Sequence, residues 1–169
     1  FLRNMSNEKV KLTTMDGEHV EVDKEIACKS IMLQGLLEDS AGIDDEIPLT
    51  EVTKAILEKI IVFCTYINDK EHIPPVFAKP LPSYNLSDMI DKWYVDFVDL
   101  EPKVLFELVN AANWMNIRSL QDLTMAKVAT LIKGKTIQET REFLNIENDF
   151  TPEEEAQVMD ENRWAEESF

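Results

Sequence analysis

The segment from Thr53 to Asp69 constrains this chain more than any other. Its apolar residues are Ile56, Leu57, Ile60, Ile61, Val62, Phe63, Cys64 and Ile67. They cover more than one stripe of a helix, so the helix must sit at the centre of a core with elements packed around it. The flanking sequence supplies them. Val10, Leu12 and Thr14 alternate with Lys11, Thr13 and Met15; Asp16-Gly17 follows, and Val20 and Val22 resume the phase. That pattern predicts a β-hairpin. Asp23 is placed to cap a short helix through Lys29. A second helix is predicted from Ile31 to near Asp39, then an acidic loop over 38–46. Ile47-Pro48-Leu49 predicts a short edge strand, where proline is tolerated.

Four of the seven prolines lie in 71–87, which is expected to form a mobile surface loop. A short helix is predicted over 88–98, bearing Trp93, Tyr94 and Phe97. Pro102 suits the first turn of a helix running to Trp114. Arg118 to Lys133 forms another, stopped by Gly134. Thr136 with Glu139 is a capping box opening a helix to about Leu144. Thr151-Pro152 followed by acids opens the last. The fold class is α+β: a few short strands near the start, helices after them. Residues 8–132 can bury a core, with the loop spanning 70–90. Residues 133–169 carry scattered large apolar groups and need a docking surface or a partner. Met5-Ser6 reads as a native start, and residues 1–4 are then expected to be a remnant outside the fold.

The net charge is −16, from 33 acids and 17 bases. Such a surface repels nucleic acid and anionic membranes. Residues 147–169 hold nine acids and one base. No apolar run reaches the roughly 18 residues of a membrane span. Cys28 and Cys64 are spaced neither as a metal site nor as a redox pair. Cytoplasmic and nuclear localisation is therefore expected.

Candidate catalytic motifs fail on their requirements. Gly134-Lys135-Thr136 resembles the end of a phosphate-binding loop, but position 129 is Ala129 where that loop needs glycine, and a helix precedes it. His19 and His72 stand outside any metal-ligand spacing. No serine nucleophile elbow is present. A binding module with no cofactor, metal or small-molecule substrate is the expectation.

Several stretches resemble one family. Asp16-Gly17-Glu18, Val22-Asp23 and Glu25-Ile26-Ala27 look like its opening hairpin and helix. LFELVNAAN (105–113), IKGKT (132–136) and NIENDFTPEEEAQ (145–157) are closer still, and Glu161-Asn162-Arg163-Trp164 is similar to its C-terminal signature. The family is that of the S-phase kinase-associated (Skp) adaptors of SCF-type ubiquitin ligases. The resemblance spans nearly the whole chain outside 70–90. It implies a BTB/POZ domain followed by a helical F-box-binding tail, and a non-catalytic adaptor joining an F-box protein to a cullin. It implies cullin contact at Asn113, Trp114 and Val128. F-box contact falls on Leu105, Phe106, Met125, Ile146, Phe150, Val158 and Trp164. The alternative is a self-associating BTB/POZ scaffold without a ligase role.

The departures are specific. Trp114 stands where the family has tyrosine. Gln121 takes an apolar place in the tail's docking region. The family's acidic loop is replaced by the proline-rich 71–87 segment. Ile137 follows IKGKT where some members have a modified proline. In the free protein the tail is expected to be the least stable part, ordering on its partner.

Overall fold

The computed structural model describes residues 8–39 and 46–163. The chain divides into two compact units, Phe1–Lys133 and Gly134–Phe169.

In the first unit, strands β1 (Lys9–Thr13) and β2 (His19–Asp23) form the expected antiparallel hairpin, with Val10 opposite Val22 and Leu12 opposite Val20. Gly17 takes φ +77° in the turn, a conformation that favours glycine. Strand β3 (Ile47–Pro48) pairs parallel to β1 at the sheet edge, giving the order β2-β1-β3. Of the predicted acidic loop, residues 40–45 lie outside the described residues.

Helix α1 spans Lys24–Ala27, shorter than the sequence suggested, and Asp23 makes no side-chain capping bond. Helix α2 spans Ile31–Asp39. Its cap is Ser30, whose Oγ accepts from Leu33 N at 3.1 Å and donates to the Met115 carbonyl at 2.5 Å. Both hydrogen-bonding roles of this buried hydroxyl are thus used, as burial of a polar group requires.

Helix α3 (Lys54–Asn68) is the central helix, with Ile56, Leu57, Ile60, Phe63 and Cys64 buried. Thr53 holds the N-cap position without a side-chain bond; the cap comes instead from the hairpin turn, where Asp16 Oδ1 accepts from Lys54 N at 3.1 Å. Asp16 also accepts from Thr14 Oγ1, the main reason its carboxyl sits below the usual range. Val62 faces outward at 55% exposure, so the apolar surface of α3 is wide but does not encircle it. Burial pushes the Cys64 thiol up to about 12, which leaves it protonated and inert.

The predicted 88–98 helix begins late. A 3₁₀ turn occupies Leu86–Asp88, and α4 covers Lys92–Phe97. Asp91 is extended at φ −61°, ψ 147° and serves as the N-cap position. Trp93, Tyr94 and Phe97 surround Phe63, with ring centroids 6.5, 6.3 and 5.5 Å away. Helices α5 (Pro102–Trp114) and α6 (Arg118–Ile132) match the sequence reading. Asn116 joins them at φ +53°, and Ile117 N returns to the Ala112 carbonyl at 2.9 Å. This left-handed closure satisfies the end of α5 as a glycine would.

The proline-rich stretch before α4 is anchored. Phe77 and Leu81 pack on the core and Leu86 is buried in it.

The second unit contains α7 (Ile137–Leu144) and α8 (Pro152–Glu161). Gly134 turns at φ +80°, and Thr136 and Thr151 cap the two helices. Neither helix contains a buried residue.

Candidate protein-interaction surfaces

The hairpin turn, the start of α3 and one face of α5 enclose a groove of about 560 Å³. Local chemistry fixes its walls. Met15 N donates to the Val52 carbonyl at 2.9 Å, and Asp16 caps α3 as described. Met15, Glu51 and Ile56 therefore face Glu107, Asn113 and Trp114. Asn113 is exposed, while Trp114 is half-buried and rests partly on the core. Gln121 Nε2 donates to Asn113 Oδ1 at 3.0 Å, which leaves the amide N–H groups of Asn113 as donors toward the groove.

Two of the three residues implied for cullin contact thus share one groove. The third, Val128, is buried on α6 and does not line it. Met15, Glu51 and Glu107 had no signal in the sequence beyond an apolar residue beside a turn.

The residues implied for F-box contact divide between the two units. On the first, Met125 is 51% exposed, Phe106 is half-buried and Leu105 is fully buried. Leu105 offers no side-chain surface in this structure. On the second, Ile146, Phe150 and Val158 are all exposed, as are Ile137 and Met159. Trp164 lies outside the described residues.

Arg141 organises the second unit. Its Nη1 donates to Glu155 Oε1 at 2.8 Å, linking α7 to α8, and its guanidinium lies 5.8 Å from the centre of the Phe150 ring. Asn148 Nδ2 donates to the same carboxylate oxygen at 3.3 Å. Asn145 takes φ +53° at the end of α7, and Ile146 N returns to the Arg141 carbonyl at 2.9 Å. The connection carrying Ile146 and Phe150 is thus tied down at both ends. Exposed apolar side chains on an acidic, internally braced unit are candidates for contact with a partner.

Gly134-Lys135-Thr136 does what a helix stop and cap require. Thr136 Oγ1 accepts from Glu139 N at 3.2 Å, and Glu139 Oε2 accepts from Thr136 N at 2.8 Å. The second box has Glu154 Oε2 accepting from Thr151 N at 2.9 Å. These backbone bonds are the main cause holding Glu139 and Glu154 below the usual carboxylate range. A carboxylate depressed in the folded state stabilises that state above its unfolded pKa. The contribution is lost as pH falls through the folded value. Glu139→Ala with Glu154→Ala should therefore lower helicity relative to the parent at neutral pH. The difference should close as pH drops through and below the carboxylate range. Circular dichroism of both chains across pH checks this; a gap independent of pH contradicts it.

Among the described residues no group of His, Cys, Asp and Glu could hold a metal ion, and no helix is long and apolar enough to cross a membrane. A small sheet with helical cover, a preformed groove and a second unit bearing exposed apolar anchors define a protein-interaction module.

Comparison with known proteins identifies the family. Residues 8–69 match the Skp1 family, tetramerisation domain, and residues 118–165 match the Skp1 family, dimerisation domain. The chain is 49% identical over 161 residues to an S-phase kinase-associated protein 1 homolog of Tetrahymena thermophila, covering 95% of each chain. It is 41% identical to the SCF ubiquitin ligase complex protein SKP1a of Dictyostelium discoideum, over 93% of this chain and 95% of that one. Identity to SKP1-like protein 1A of Arabidopsis thaliana is also 41%, over 95% and 99%. The chain belongs to the Skp1 family, and residues 8–69 match the POZ domain of that family.

Proposed function

We propose that the chain is the adaptor of an SCF-type ubiquitin ligase, joining F-box substrate receptors to a cullin without itself catalysing transfer. The single observation that carries this reading is the presence of two sets of residues open to a partner that share no member. One is the Asn113–Trp114 groove; the other is the exposed set Ile146, Phe150 and Val158. An adaptor needs two surfaces that can be occupied together. The full-length similarity to a protein named as a member of the SCF complex supports the same reading. The groove takes the cullin, through the donors of Asn113 and the indole of Trp114. Phe106 and Met125 on the first unit, with the apolar set on α7, α8 and their connection, take the F-box. Its free thiols, one buried and one half-buried, suit the cytosol and nucleus.

The F-box assignment is tested by Phe150→Asp with Val158→Asp. Interface anchors are worth about 2 kcal/mol or more each, so F-box affinity should fall by at least roughly thirtyfold. Cullin affinity should not change. Titration calorimetry with each partner reads both; an unaltered F-box affinity removes the tail surface from the account.

A further inference from the structure

The 71–87 stretch presents apolar side chains to solvent from a backbone that is held in place. Tyr94 Oη donates to the Ile73 carbonyl at 3.0 Å, and Lys133 Nζ donates to the Leu81 carbonyl at 3.1 Å. His72 stacks on Tyr66 with centroids 3.8 Å apart. Between these fixings Ile73 is 77% exposed and Val76 is 95% exposed. They sit on a fixed wall, which a ligand can use without the cost of ordering it.

That wall belongs to a groove of about 360 Å³, closed on the other side by residues 87–91 and Tyr94. It shares no lining residue with the Asn113–Trp114 groove. Among the described residues, its charged lining is Asp88 and Asp91. Asp88 Oδ2 accepts from Ser83 Oγ at 2.8 Å, and the Asp91 side chain makes no capping bond to α4. Both carboxylates retain capacity for donors from a ligand.

Charge decides what fits. The chain's own 147–169 segment has nine acids and one base, and a second copy brings a net −16. Both are repelled by two carboxylates. A segment with lysine or arginine beside an aliphatic or aromatic side chain meets both walls: the cation pairs with Asp88 and Asp91, and the apolar group packs on Ile73, Pro75 and Val76. We propose that this groove docks a short basic and apolar segment of a partner protein, at a site additional to the cullin and F-box surfaces.

The test pans a displayed library of random peptides against the full chain and titrates the enriched peptide into the isotope-labelled protein. Enriched peptides should pair a basic residue with an apolar one. Amide shifts should concentrate at 73–76 and 87–94. Asp88→Asn with Asp91→Asn, and separately Val76→Ser, should each weaken the peptide at least about tenfold. Cullin and F-box affinities should be unchanged in both variants, so that this result is read apart from the adaptor assignment. No enrichment, enrichment without a basic residue, shifts dispersed over the acidic surface, or full affinity in the variants overturns the proposal. A dimer in sedimentation that Val76→Ser abolishes also overturns it, by giving the groove to a second copy.

Discussion

Replacing Asn113 and Trp114 together by lysine is expected to abolish cullin binding while the POZ domain stays folded. Both side chains line the groove between the hairpin turn, α3 and α5. Asn113 is exposed and is oriented by Gln121, so its replacement removes donors aimed outward and leaves the core untouched. Trp114 is half-buried, and its indole supplies apolar area of the kind that anchors interfaces. Lysine at both positions would bring two ammonium groups under the partner. An unpaired charge buried in an interface costs several kcal/mol, so affinity should fall by two decades or more. Glu51 and Glu107 also line the groove and can each hold one lysine by an ion pair at its rim. Exposed pairs of this kind return at most about 1 kcal/mol, too little to rescue binding. Trp114 rests partly on the core, so Asn113→Lys alone is the companion variant that spares the packing. Binding measured beside a thermal melt separates the two effects. A double variant that binds cullin at parental affinity contradicts the assignment.

Phe63→Ala is expected to be the most damaging single substitution in the first unit. Phe63 is fully buried, and Trp93, Tyr94 and Phe97 pack their rings around it. Trp93 and Phe97 also stack on each other with centroids 5.3 Å apart, so the group acts as one block joining α3 to α4. Removing a buried phenyl ring costs about 3–5 kcal/mol, from lost transfer energy and the cavity left behind. A domain of this size has about 5–15 kcal/mol in total. The midpoint of thermal unfolding should drop by roughly ten degrees or more. Val62, one residue earlier on α3, faces solvent, and Val62→Ala should stay within about 0.5 kcal/mol. Urea unfolding of both variants makes the comparison. A loss below about 1 kcal/mol for Phe63→Ala would mean that the aromatic block does not hold the core.

The elements that sequence reading located are those whose chemistry is local. The Asp16-Gly17 turn, Pro102 at the start of α5, the Thr136–Glu139 capping box and the Thr151 cap each bring their partners within a few residues. Each appears in the structure where expected. What sequence reading missed depends on residues far apart in the chain. Asp16 caps α3 from 38 positions away, and Ser30 bonds to Met115 across 85. No window of sequence shows either. The anchoring of 71–87 was hidden for the same reason: composition gives proline and exposure, but Tyr94 and Lys133 hold the backbone from other elements. For the interaction surfaces, helix spacing identified apolar positions without saying which way each faces. Leu105 and Val128 turn inward, whereas Met125 and Val158 turn outward. The groove at Asn113 was legible only at its α5 wall, because Met15 and Glu51 reach it through the hairpin and the start of α3.

The central claim is that one chain holds two partners at once, on two sets of residues that share no member. The most direct measurement mixes the chain with a cullin N-terminal region and with an F-box protein, and weighs the product by light scattering coupled to size exclusion. The account predicts a ternary complex of equal stoichiometry that requires the chain, loses only the cullin in Asn113→Lys with Trp114→Lys, and loses only the F-box protein in Phe150→Asp with Val158→Asp. Partners that displace each other from the chain, or that fail to bind it at all, would contradict the account.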